Sequence, residues 1–144
     1  MRPCTVGSKM NASLVGKSFF ATLLLYRGMD RRVRKAVQLI DACWRSTVSV
    51  AKLAEDVGLG RSRLEHLFKG EEKVSIRAFV QERRLVEAAA ILATSEERVS
   101  VISYQVGFRD VSNFNHAFKK RFGVTPREYR ERHNAQHDPP PRTG

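Results

Sequence analysis

From residue 30 to residue 132 the apolar positions recur three and four apart, the spacing that lines one face of a helix. Strict alternation is confined to short pieces such as 73–78, and none of them makes a convincing strand. Val33, Val37, Leu39, Ile40 and Trp44 form the first stripe, and Asp30 stands where a capping side chain is needed. Ser49 precedes a short pattern over 50–57 that stops at Gly58. A further helix is expected over 61–69, with Leu64, Leu67 and Phe68 on its inner face. Ser75 introduces a long run over 76–93, whose apolar positions are Phe79, Val80, Leu85, Ala88, Ala89, Ile91 and Leu92. A short helix over 100–105 ends at Gly107, and 111–122 follows it. Thr125 and Pro126 then open a last helix, threonine as the cap and proline in the first turn, where its missing N–H costs nothing. The pattern predicts an all-α fold of seven helices.

The two ends differ in texture. Residues 1–28 keep no sustained helical period and read as a poorly ordered extension with at most one short helix over 13–26. Residues 133–144, ending in Asp-Pro-Pro-Pro-Arg-Thr-Gly, read as a flexible tail. The folded domain is therefore expected over 29–132.

Composition narrows the partner. Lys and Arg total 26 against 15 Asp and Glu in 144 residues, a net charge of +11. Such an excess suits a polyanion, nucleic acid before an anionic membrane surface. The apolar stretch over 19–26 runs straight into Arg27 and lacks a small-x-small cleavage site, so it is not read as a signal peptide, and it is too short to cross a bilayer. Cys4 and Cys43 fit neither a disulfide framework nor a metal spacing, which favours a reducing cytoplasm. Cys43, beside Trp44 on an apolar stripe, is expected to be a buried core thiol. Gly16-Lys17-Ser18 resembles the end of a phosphate-binding loop, but Asn11 stands where the first glycine belongs. No nucleophile motif, acid pair or metal cluster appears, so neither an enzyme nor a cofactor is expected.

The informative feature is an internal repeat. Leu53-Ala54-x-x-Val57-Gly58-Leu59 is echoed by Ile102-Ser103-x-x-Val106-Gly107-Phe108, 49 positions later. Leu64-Glu65-His66-Leu67-Phe68-Lys69 is echoed by Phe114-Asn115-His116-Ala117-Phe118-Lys119, 50 positions later, so the second turn is one residue longer. Each copy has what a helix-turn-helix needs. Ala54 or Ser103 is small enough for a close helix crossing, Gly58 or Gly107 can take the positive φ of a tight turn, and Leu64 or Phe114 anchors the second helix. The opposite face of that second helix is left polar, as a face entering a major groove must be. The helix joining the copies, about 20 residues and about 30 Å long, nearly matches one turn of B-DNA at about 34 Å. The first unit is placed at about 50–70, the linker helix at about 75–94 and the second unit at about 100–122.

The segment 101–130 carries Gly107-Phe108, Ser112-x-Phe114, Phe118-Lys119 and Gly123-x-Thr125-Pro126-x-x-Tyr129-Arg130. In these motifs, and in Arg84-Leu85 followed by Ala88, the chain resembles the DNA-binding domain of the AraC/XylS family of transcription regulators, over about residues 33–132. The resemblance implies sequence-specific binding of double-stranded DNA, with RNA polymerase as a second candidate partner. It departs at two places. Lys73 stands where the family usually has a glycine after the first Phe-Lys, and Ser103 replaces the usual alanine. Residues 1–28 are too few for a ligand-sensing barrel, so no small-molecule effector is expected unless the chain is a piece of a longer protein.

Face mapping assigns the candidates. Arg61, Ser62, Glu65 and His66 in the first recognition helix, and Val111, Ser112, Asn115 and His116 in the second, are expected to meet base edges. Arginine can pair with guanine, asparagine with adenine, glutamate with cytosine, and valine with a thymine methyl. Lys69, Lys119, Lys120 and Arg121 are the phosphate candidates. The competing reading is a sequence-blind architectural DNA-binding protein, in which these side chains are ordinary solvated surface.

Overall fold

The computed structural model describes residues 28–137, and among them it places seven helices and no strand. Helix α1 (Arg31–Cys43) starts where the Asp30 carboxylate accepts the Arg32 N–H at 2.8 Å. Helices α2 (Val50–Asp56) and α3 (Arg61–Glu72) follow, then the long α4 (Ile76–Thr94). Helices α5 (Val99–Gln105), α6 (Val111–Phe122) and α7 (Pro126–His137) complete the order. The expected extension and the short helix over 13–26 lie outside the described residues.

The chain divides into two compact units whose boundary falls inside α4, after Phe79. In the first unit α1, α2 and α3 pack against one another. Val33, Ala36, Val37 and Ile40 from α1 join Leu53, Ala54, Leu64 and Phe68 in its core. Phe79, in the first turn of α4, sets its ring edge-on to Phe68 with centroids 5.3 Å apart. Leu39, Trp44 and Leu67, expected inside, are only half-buried. So is Cys43, against the expectation of a core thiol: its Sγ donates to the Leu39 carbonyl at 3.0 Å, back along its own helix.

In the second unit α5 packs on α6 and α6 on α7. Its core is aromatic: Phe114 and Phe118 are fully buried, and their rings link Phe108, Phe122 and Tyr129 at centroid distances of 4.5–5.6 Å. Helix α7 opens on a reciprocal cap. The Thr125 N–H donates to Glu128 Oε2 at 2.7 Å, and the Glu128 N–H donates to Thr125 Oγ1 at 3.3 Å. The helix then runs through His137, into the stretch expected to be a flexible tail. Asn134 Nδ2 donates to Glu96 at 3.1 Å, and Arg130 donates to the Glu97 carbonyl, so the loop ahead of α5 holds α7 in place.

The chain leaves both short helices in the same way. Gly58 at φ 72° and Gly107 at φ 93° take the left-handed conformation that closes α2 and α5. The N–H of Leu59 reaches back to the Ala54 carbonyl at 2.9 Å, and that of Phe108 to the Ser103 carbonyl at 2.9 Å. Gly58 and Gly107 donate to Glu55 and Tyr104, completing the six-to-one, five-to-two bond pair that ends a helix without orphan carbonyls. No described helix is long and apolar enough to cross a membrane.

Candidate nucleic-acid interface

The two second helices, α3 and α6, are each 12 residues long, and their first residues, Arg61 and Val111, stand 50 apart in sequence. Leu64 and Phe68 are fully buried in α3, as Phe114 and Phe118 are in α6. Ala54 and Ser103 lie buried beneath them in α2 and α5. The Ser103 hydroxyl, which an alanine would lack, donates to the Ser100 carbonyl at 2.7 Å. That bond satisfies the hydroxyl within its own helix, so serine substitutes for alanine there without leaving a buried polar group unpaired.

The remaining faces are polar and open. Arg61, Ser62, Glu65 and His66 are all exposed on α3, and Ser112, Asn115 and His116 are exposed on α6. Val111 is half-buried at the start of α6, less available than its fellow candidates. Arg61 Nε donates to Glu65 Oε1 at 3.3 Å, so two of the base-reading candidates on α3 are each other's partner, one turn apart. Arg63 and Asn113, outside the expected set, occupy equivalent exposed places beside these residues. Both lie about 100° from the anchoring Leu64 and Phe114 on the helical wheel, so a wider arc would have included them.

The helix starts differ. Gly60 precedes α3 and supplies no side-chain cap, which leaves the first N–H groups of that helix free of one. Asp110 caps α6, its carboxylate accepting the Ser112 N–H at 2.8 Å. An anion already occupies the start of the second helix, whereas the start of the first can accept a phosphate. The aspartate just ahead of the pattern, at a capping position, was the available sequence signal.

Helix ends carry the basic candidates. Lys69 in α3, and Lys119 and Lys120 in α6, are exposed and make no salt bridge among the described residues. Lys119 lies close enough to Glu128 to help depress that carboxyl's pKa, behind the larger effects of the Thr125 N–H and hydroxyl. Arg121 is placed differently. Its Nε donates to both carboxylate oxygens of Glu82 on α4, at 2.7 and 2.8 Å. On α4, burial and secondarily the nearby Arg109 cation push the Arg84 guanidinium below its usual pKa. Among the described residues no group of three or more His, Cys, Asp or Glu side chains could hold a metal ion.

Comparison with known proteins bears on this arrangement. Residues 53–132 match a protein family described as Helix-turn-helix domain. Over 107 residues the chain is 36% identical to the Arabinose operon regulatory protein of Escherichia coli strain K12, which accounts for 74% of this chain and 37% of that protein. The chain thus spans little more than a third of that relative's length. A transcriptional regulator with an AraC-type DNA-binding domain, from Chromobacterium violaceum, has a similar structure. Its TM-score is 0.66 at 26% identity, covering 78% of this chain and 95% of that one. The DNA-binding domain of the global transcriptional factor AdpA, solved with a target DNA, shares the fold with a TM-score of 0.69 at 20% identity, covering 74% and 96% of the two chains.

Proposed function

Because the chain belongs to the AraC/XylS family of helix-turn-helix DNA-binding domains, we propose that it reads one bipartite DNA site and regulates transcription from it. Helix α3 enters one major groove and α6 the next. The observation that supports this most is the duplication itself: two 12-residue helices, each anchored by a buried large residue at its fourth position and polar on the other side. A sequence-blind binder needs cations along a backbone but has no use for two matched groove-facing surfaces. Arg61, Ser62, Glu65 and His66 read one half-site; Ser112, Asn115 and His116, with Val111 at the edge, read the other. Lys69 holds phosphate beside the first half-site, and Lys119 and Lys120 beside the second. The partner is double-stranded DNA in the cytoplasm, and the bound domain acts by recruiting or obstructing RNA polymerase.

The test is selection of binding sites from a random duplex library with the purified chain. Two short conserved blocks whose centres lie about one helical turn apart are expected. Recovery of a single block would confine reading to one helix, and recovery of no consensus would favour the architectural alternative.

A further inference from the structure

Arg121 is exposed in part and basic, at the end of a recognition helix, and by composition alone it belongs with the phosphate contacts. Its position on the helix argues otherwise. It follows Phe114 by seven residues, Ala117 by four and Phe118 by three, all three of them buried. Residues at those spacings share one face, so Arg121 projects along the inner stripe of α6 rather than from the groove-facing side that carries Ser112, His116 and Lys119. There it meets α4. Nε donates to both oxygens of Glu82 at 2.7 and 2.8 Å, and the guanidinium carbon lies 5.1 Å from the centroid of the Phe122 ring. Glu82 and Arg121 both belong to the second compact unit, and 39 residues separate them in sequence.

We propose that Arg121 is a positioning residue: with Glu82 it clamps the end of the second recognition helix to the linker helix and so fixes the angle at which α6 presents Ser112, Asn115 and His116 to bases. The proposal rests on the reading of α6 as a recognition helix. A carboxylate whose two oxygens share the Nε–H, and an aromatic platform, hold the guanidinium in place, and its charge is matched by Glu82 before any DNA arrives. The pair is half-exposed, with side-chain accessibilities of 49% and 42% for Arg121 and Glu82. Its effect is therefore graded, felt in how well α6 is aimed rather than in whether the unit folds.

The experiment measures affinity of the full chain for a selected site and for random duplex, across a salt series. The variants are Arg121→Gln, Glu82→Gln and the exchange Glu82→Arg with Arg121→Glu. Each single change is expected to lower the ratio of specific to random-DNA affinity about two- to five-fold, the range an exposed ion pair supports. The salt slope on random DNA stays as in the parent chain, and the exchange recovers most of the ratio. The clamp is overturned if Arg121→Gln makes that slope shallower by about 0.9 while Glu82→Gln leaves it alone, which is the signature of a lost phosphate contact. It is overturned equally if the exchange fails to recover the ratio although the thermal midpoint is unchanged. A parent chain with no preference for any duplex would remove the recognition reading itself, before any variant is compared.

Discussion

Lys73 and Gly123 end the two recognition helices at the same point of the repeat, 50 residues apart, and both take the left-handed conformation, at φ 62° and 78°. Each closes its helix identically, its N–H bonding the carbonyl of Lys69 or Lys119. Among the described residues Lys73 is the non-glycine residue held at positive φ. Its Cβ makes that conformation unfavourable by about 1–2 kcal/mol, offset in part by the bond from Nζ to the Gly70 carbonyl at 2.6 Å. Helix α3 runs through Gly70 to Glu72, three residues past the expected stop at 69, and the chain turns at Lys73.

Lys73→Gly should therefore stabilise the protein. Glycine removes the left-handed penalty but adds freedom to the unfolded chain, so the net gain expected is about 0.5–1 kcal/mol. The mirror change, Gly123→Ala, should destabilise by about 1 kcal/mol through backbone strain alone, because nothing lies within 4 Å of the Cβ it would add. Urea denaturation of both variants decides it. A Lys73→Gly protein no more stable than its parent would show that the left-handed turn carries little strain.

Salt dependence should be gentler than a net charge of +11 suggests. Arg121 is held by Glu82, Arg127 by Glu131 at 3.0 Å, and Arg130 donates to the Glu97 carbonyl. Lys69, Lys119 and Lys120 remain as the free cations at the recognition-helix ends, and three phosphate contacts imply a log–log slope of about −2.7. Lys120→Ala should make it shallower by about 0.9 and weaken all sequences alike. A parent slope steeper than about −5 would mean that many cations outside these helix ends also meet DNA.

Acid should loosen α7 first. The Thr125 N–H, and after it the Thr125 hydroxyl, hold the Glu128 carboxyl below its usual pKa. A lowered folded-state pKa means that the ionised form is the one the fold favours. Its contribution is present above the unfolded value, near 4.3 for glutamate, and is lost as pH falls through the lower folded value. The parent Tm is expected to fall below about pH 4.5 more steeply than that of Glu128→Gln, whose amide keeps part of the cap but cannot titrate. Parallel curves for the two proteins between pH 7 and 3 would rule the linkage out.

Where sequence reading succeeded, local physics decided the outcome. Ser49, Ser75 and Thr125 cap their helices because each hydroxyl accepts a backbone N–H of the first turn, and Gly58 and Gly107 turn the chain because glycine tolerates positive φ without penalty. The one-residue difference between the repeat spacings appears as the extra residue between Gly107 and α6. What escaped depends on tertiary partners. Nothing local to Arg121 announces Glu82, which lies 39 residues upstream, and nothing in the tail announces that Asn134 meets Glu96. Half-burial of Cys43 and Leu67 likewise depends on how far a neighbouring helix reaches, which periodicity does not encode.

The sharpest test of two-groove reading concerns Arg61 and Asn115. They sit on different recognition helices, in different compact units, and are exposed. If each reads a base, Arg61→Ala and Asn115→Ala should relax preference at positions about one DNA turn apart, each costing about 1–3 kcal/mol on the parent site. With no shared partner their costs should nearly add. Arg61 has a further consequence. Its removal strips Glu65 of its ion-pair partner, 3.3 Å away, and leaves a carboxylate facing the groove unneutralised. Arg61→Ala should therefore lose more affinity than the double change with Glu65→Ala, whereas Asn115→Ala, with no such neighbour among the described ion pairs, should show no coupling to Glu65. Site selection on the single variants, and a double-variant cycle on one fixed duplex, measure both effects. If Asn115→Ala leaves every base preference intact, the second unit serves only to anchor the first, and sequence reading rests on α3.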